Sequence, residues 1–91
     1  MSNKFSAVLE GLEAGKLYAR DNWGNRGMFI FLVNGSNFKV NRAPLLGIFE
    51  EGTDVVYRPH IDMKTSDGSI CVWTATQADL LANDWIEVIA D

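Results

Sequence analysis

One cysteine, one histidine and two prolines among 91 residues leave little material for several kinds of chemistry. Cys71 has no second cysteine to pair with, so neither an internal disulfide nor a cysteine metal cluster can be built. Inside the apolar run Ile70, Cys71, Val72, Trp73 it is expected to fill core space. His60 and Asp62 supply two potential metal ligands and no second histidine exists, so no metal or cofactor is expected. Neither the GxxxxGK spacing of a phosphate loop nor GxGxxG occurs, which excludes those nucleotide folds. No stretch approaches the roughly 18 to 20 apolar residues of a membrane helix. A basic N-terminal segment followed by an apolar one is also missing, so the chain is expected to stay in the cytoplasm, away from membranes.

Positive charge is scarce too: Lys and Arg number 8 against 12 acids, a net charge of −4 that argues against broad nucleic-acid binding. The distribution is uneven. Residues 1–49 hold six basic residues against three acidic ones, a net +3, whereas residues 50–91 hold two against nine, a net −7. A local anion pocket can therefore persist on an acidic protein.

What the chain does have is large apolar side chains, with three Trp and five Phe in an otherwise ordinary globular composition. A single α+β domain spanning residues 1–91 is expected. A chain this short buries only roughly 60 to 65% of its unfolded surface, so self-association would add stability.

Phe5, Val8, Leu9 and Leu12 follow the i, i+3, i+4, i+7 spacing of one helical stripe, capped near Asn3 and stopped by Gly15. Residues 17–20 read as a short strand, and residues 21–27 as a loop dense in turn formers. Residues 28–33 form a continuous apolar run, expected to be a strand buried on both faces, with a second subunit as one candidate cover. Residues 37–40 read as the return strand of a hairpin, and Pro44 opens an apolar connection ending at Gly52. Residues 55–57 and the segment around Ile61 and Met63 are extended. Ser66, Asp67 and Gly68 turn the chain into a strand over 69–73. Thr74 and Gln77 fit a capping box for a short helix through Leu81, and residues 85–89 form the last strand. The expected fold is a small antiparallel sheet with an N-terminal helix and a short second helix before the last strand.

Several residues carry candidate chemistry. Alternation places His60, Asp62 and Lys64 on one strand face, either as an acid–base or binding set or as a hydrogen-bonded histidine beside a solvated ion pair. Trp23 in its polar loop either stacks on a ligand or anchors the loop by packing. Trp73, at a strand end, is open to the same two readings, while Trp85 is expected in the core.

Three stretches together resemble the second Thoeris anti-defence family of phage proteins. They are Gly15-Lys16 to Arg20 with Asn22-Trp23-Gly24 and Gly27; Asn41-Arg42-Ala43-Pro44-Leu45-Leu46-Gly47; and Arg58-Pro59-His60-Ile61-Asp62-Met63-Lys64-Thr65 on through Asp67-Gly68, Trp73 and Asp84-Trp85. Asn25-Arg26, where a Gly and a Lys are expected, and Cys71 depart from that pattern.

The resemblance implies a protein that sequesters a cyclic ADP-ribose isomer, glycocyclic ADP-ribose, made by the TIR enzyme of a Thoeris defence, without degrading it. It implies the cytoplasm of the infected bacterial host as the place of action. It also implies a homo-oligomer, a tetramer, with pockets between subunits, and some relatives also bind cyclic dinucleotides.

Such a ligand calls for an aromatic plate, hydroxyl acceptors and cationic donors. Within the matched stretches Trp23 or Trp73 supplies the plate, Arg20, Arg26 or Lys64 the cation, and Asn22 or Asp62 the acceptor, with His60 and Thr65 beside them. Two other readings compete: an enzyme that cleaves the cyclic nucleotide, resting on His60 near Asp62, and an interaction module with no small ligand, resting on the 28–33 run.

Overall fold

The computed structural model describes residues 3–24 and 26–89. The element order is α1 (Phe5–Glu13), β1 (Leu17–Arg20), a short 3₁₀ turn (Asp21–Trp23), β2 (Phe29–Val33), β3 (Ser36–Lys39), β4 (Asp54–Tyr57), β5 (His60–Lys64), β6 (Ile70–Val72), α2 (Gln77–Leu81) and β7 (Trp85–Val88). The α+β class with two helices bears out the sequence reading. Five strands form one antiparallel sheet in the order β6-β5-β2-β1-β7, and β3 and β4 pair separately.

Helix α1 lies on one side of the sheet because its stripe matches that side. Val8 and Leu12 are buried with Ile30 and Trp85, and Phe5, Tyr18, Leu32, Ile61 and Met63 pack around them. Gly11 lets the helix approach the sheet: a methyl there would overlap the Tyr18 ring and hydroxyl. Gly15 ends the helix at φ +89°. Two details differ from expectation. The N-cap is Lys4 and has no side-chain capping bond, so Asn3 does not cap, and Leu9 faces solvent at 45% exposure.

Strand β2 is not buried on both faces. Ile30 is fully buried against α1, while Phe29, Phe31 and Val33 point the other way and stay half-exposed, because no helix of the described residues lies on that side. Cys71 is exposed, not core, since β6 is an edge strand beyond the reach of α1.

The return strand expected over 37–40 does not pair with β2. It pairs with β4, and Ser36–Tyr57 follows Val33–His60 with three residues advanced on each strand, so the two ladders share one register. Residues 29–39 and 54–64 thus make one long two-stranded ribbon, jointed at Gly35, whose missing Cβ leaves room for the Tyr57 carbonyl and Pro59. The capping box of α2 also shifts. It is Thr76 with Asp79, not Thr74 with Gln77: the Thr76 hydroxyl accepts from the Asp79 N–H, and the Asp79 carboxylate accepts from the Thr76 N–H at 3.0 Å.

Candidate functional site

Cross-strand register places three of the nine candidate residues, His60, Asp62 and Lys64, on one side of the sheet. Residues directly opposite one another share a face, and Phe31 is opposite Asp62, Val33 opposite His60, and Phe29 opposite Lys64. His60, Asp62 and Lys64 therefore stand together, as alternation required, on the side away from α1. Trp23 and Trp73 are on the helix side. Trp23 meets Trp85 edge-on at 5.4 Å and Trp73 meets it edge-on at 6.0 Å, so both indoles pack on the core and remain half-exposed.

On the open face, Asp62 is the residue whose needs are unmet. Its Oδ1 is buried and has no hydrogen-bond partner among the described residues. His60 Nε2 lies 3.5 Å away, longer than a good hydrogen bond and an ion pair only when the imidazole is protonated. The other ring nitrogen, Nδ1, is 3.1 Å from the Arg58 carbonyl, and the Tyr57 ring sits 5.1 Å from the imidazole. Lys64 closes the opposite end, donating to the Gly27 carbonyl at 2.9 Å with its ammonium 5.5 Å from the Phe29 ring centre. This bond ties the 21–27 loop, with exposed Arg26, to the edge of the same face. Open concavities of about 380 Å³ beside Tyr57, His60 and Val72, and about 280 Å³ beside Ala19, Gly27 and Val88, flank the face at its two ends.

Arg20 and Asn22 do a different job. Arg20 Nε donates to Asp84 at 2.9 Å and its terminal nitrogen to Asp79 at 3.0 Å, while the Asn22 backbone N–H donates to the second Asp84 oxygen at 2.9 Å. Asp79 in turn caps α2, and its carbonyl accepts the Trp85 indole N–H at 2.9 Å. One guanidinium thus fastens the loop, α2 and β7 together. Thr65 is similarly committed: it bonds Asp67 and Ser69 in the turn before β6, and those hydroxyls hold Asp67 down to about 2.

The Arg20 hydrogen bond holds Asp84 below the ordinary carboxylate range; burial opposes this less strongly. For Asp79, burial pushes upward, but bonds from Thr76 and Arg20 together win and the carboxyl ends low. A depressed folded-state value contributes stability above the unfolded Asp range and loses it as pH falls through that range toward the folded value. The melting temperature is therefore expected to be level from about pH 7 to 5 and to fall below about pH 4. Arg20→Met should flatten that acid slope and cost about 2 kcal/mol at neutral pH, because Asp79 is left buried beside an apolar chain. Thermal melts across pH check both; an unchanged slope in the variant would show that the network is not the source.

With this geometry in place, the relationships of the chain can be read. The family model of the Thoeris anti-defense 2-like domain matches residues 3–88. The chain belongs to the Thoeris anti-defense 2-like family. A similar protein, Thoeris anti-defense 2 of Bacillus phage SP01, is 32% identical over 81 residues, covering 89% of each chain.

For this Thoeris anti-defense 2-like chain, the open face adds residues that sequence reasoning passed over. Tyr57 and Arg58 border His60, and Phe29 and Phe31 flank Lys64 and Asp62. The signal for Phe29 and Phe31 was the odd–even pattern of the 28–33 run, which sends every second residue to the side opposite Ile30. No helix of the described residues is long and apolar enough to cross a membrane, and no group of three or more metal-ligating side chains occurs among them.

Proposed function

We propose that this protein is a phage anti-defence protein that binds glycocyclic ADP-ribose and holds it intact, as a homotetramer in the cytoplasm of the infected host, so that the Thoeris effector is not activated. The observation that carries the reading is the orphaned Asp62 oxygen on an uncovered face between aromatic rings and cations. A buried acceptor without a donor costs about 1 to 3 kcal/mol, and a ribose hydroxyl is a donor of the required kind. Phe29, Phe31 and Tyr57 offer surfaces for an adenine, and Lys64, Arg26 and Arg58 offer charge for a pyrophosphate.

Affinity supports a shared pocket. A sequestering protein needs nanomolar binding, about −12 kcal/mol, and a few contacts on an open sheet cannot reach that without enclosure. Membership of the Thoeris anti-defense 2-like family fits the same picture. Against turnover, both His60 nitrogens face groups of its own chain, the Arg58 carbonyl and Asp62.

The test is to load the protein with glycocyclic ADP-ribose, remove free ligand, denature by heat and analyse what is released. Intact ligand in stoichiometric yield is expected. Linear ADP-ribose would overturn storage in favour of cleavage, and no retained ligand would overturn binding.

A further inference from the structure

Two dipeptides in this chain set a glycine directly after Asn or Asp, Asn34-Gly35 and Asp67-Gly68. Each has the makings of one spontaneous reaction, attack of the glycine amide nitrogen on the side-chain carbonyl carbon to close a five-membered imide. Glycine favours it because no Cβ crowds the attacking nitrogen. Every other asparagine precedes a larger residue: Lys4, Trp23, Arg26, Phe38, Arg42 or Asp84. The fates of the two glycine N–H groups set the dipeptides apart. Asp67-Gly68 is protected. The Gly68 N–H donates to the Thr65 carbonyl at 3.0 Å, which holds the nitrogen in a turn. Hydrogen bonds from Thr65 and Ser69 hold the Asp67 carboxyl at about 2, and an ionised carboxylate is a poor target for attack.

Asn34-Gly35 sits at the joint of the long ribbon, and both residues are exposed. β2 ends at Val33 and β3 begins at Ser36, while Val33 pairs with His60 and Ser36 with Tyr57. That register puts Gly35 opposite Arg58. Trp73 donates to the Ile61 carbonyl from the β6 side, so alternation turns the backbone groups of His60 and Arg58 toward the other strand. An unbroken ladder would therefore join the Gly35 N–H to the Arg58 carbonyl. No such bond forms: among the described residues the Gly35 N–H has no acceptor, and His60 Nδ1 lies 3.1 Å from that carbonyl. The Asn34 side chain has no hydrogen-bond partner among the described residues either. Nor can Gly35 give way to a larger residue, because an added Cβ would meet the Tyr57 carbonyl. The reactive pair is built into the joint.

We infer that Asn34 is a site of spontaneous deamidation in the folded protein, and that its products are an aspartyl and an isoaspartyl joint between the two halves of the ribbon. The Gly35 nitrogen loses its proton to solvent base and bonds to the Asn34 side-chain carbon, and the side-chain nitrogen leaves as ammonia. Water then opens the imide. Addition at the side-chain carbonyl restores the normal backbone with an Asp side chain, and addition at the main-chain carbonyl leaves Gly35 attached through the side chain. Nothing is oxidised or reduced; one nitrogen is exchanged for an oxygen from water. The aspartyl product adds one negative charge at an exposed position. The isoaspartyl product adds a backbone carbon to one strand of the ribbon alone, so the register common to residues 29–39 and 54–64 no longer holds across the joint. Deamidation here is independent of what the open face binds.

The experiment holds the full-length protein folded at physiological temperature, in neutral and in mildly alkaline buffer. Beside it stand the same chain unfolded in guanidinium chloride and a folded Asn34→Gln variant, with Asn34→Ser in its place if the first does not fold. Tryptic peptides are followed by mass spectrometry against a zero-time sample. The peptide between Arg26 and Lys39 carries Asn34 and Asn37, and fragmentation tells them apart. An isoaspartyl methyltransferase with labelled S-adenosylmethionine measures the isoaspartyl share. Asn34 in the folded protein is expected to convert within about tenfold of its unfolded rate, since only a slight local opening is needed. Conversion should be faster in alkali, with Asn37 intact, Asp67 free of isoaspartate, and no label on the variant. An Asn34 that stays intact in the folded protein while the unfolded chain converts would show that the joint is locked, and would overturn the inference. Conversion spread evenly over Asn34 and Asn37, or methyl label that persists in the variant, would overturn it as well.

Discussion

Trp85→Ala is expected to remove about 4 kcal/mol of stability and to lower the melting temperature by roughly 20 °C. Trp85 is 2% exposed and is the ring on which three others meet: Phe5 at 5.5 Å, Trp23 at 5.4 Å and Trp73 at 6.0 Å. Its indole N–H also satisfies the Asp79 carbonyl, so truncation opens a cavity and strands an acceptor together. A domain of this size has about 5 to 15 kcal/mol in total, so the variant sits near the edge of folding. Trp85→Phe keeps most of the volume and should lose about half as much. Urea titrations of the three proteins check the order; a Trp85→Ala protein within about 1 kcal/mol of the parent would mean that the aromatic cluster is not the keystone of the core.

The same cluster explains why Trp23 was ambiguous in the sequence. Its loop is polar and its neighbours Asn22 and Gly24 read as turn residues, yet the ring packs on Trp85 of β7, the strand paired with β1 but distant in sequence, a contact no local pattern encodes. The strands at 17–20, 60–64 and 85–88 were legible because each alternates or is bounded by turn formers, and α1 because its apolar spacing is helical. The long ribbon was not. Residues 37–40 carry a hairpin signal, but whether they return along β2 or continue beyond it depends on pairing with residues 54–57, and separation in sequence hides that choice. The capping box moved for a related reason: Thr74 and Thr76 both have the right side chain, and Asp79 decides between them because Arg20, far away in the chain, also needs it.

For the candidate site, the alternation of His60, Asp62 and Lys64 was readable and holds. What could not be read was the split between these three and the tryptophans, since the two sets occupy opposite sides of one sheet. A pocket using all of them would have to take the two sets from different subunits. Within one chain, the face around Asp62 supplies its own aromatic surfaces in Phe29, Phe31 and Tyr57, so binding there does not require either indole.

Asp62→Leu should therefore separate stability from function. The Asp62 Oδ1 is buried without a hydrogen-bond partner among the described residues, its nearest cationic group being His60 Nε2 at 3.5 Å, and the side chain stands between Phe31 and Val72 on neighbouring strands. Replacing it with an apolar side chain of similar size is expected to raise stability by about 1 kcal/mol. If Asp62 accepts from a ribose hydroxyl in the filled pocket, the same change removes a charge-assisted bond worth about 1.5 to 3 kcal/mol. Affinity for glycocyclic ADP-ribose should then fall roughly 10- to 100-fold, while the melting temperature rises by several degrees. Opposite movement of the two quantities is the signature of a residue kept for its ligand, since a residue kept for packing loses both together. Calorimetry paired with thermal melts reads it directly, and unchanged affinity in a stabilised Asp62→Leu protein would move the binding site off this face.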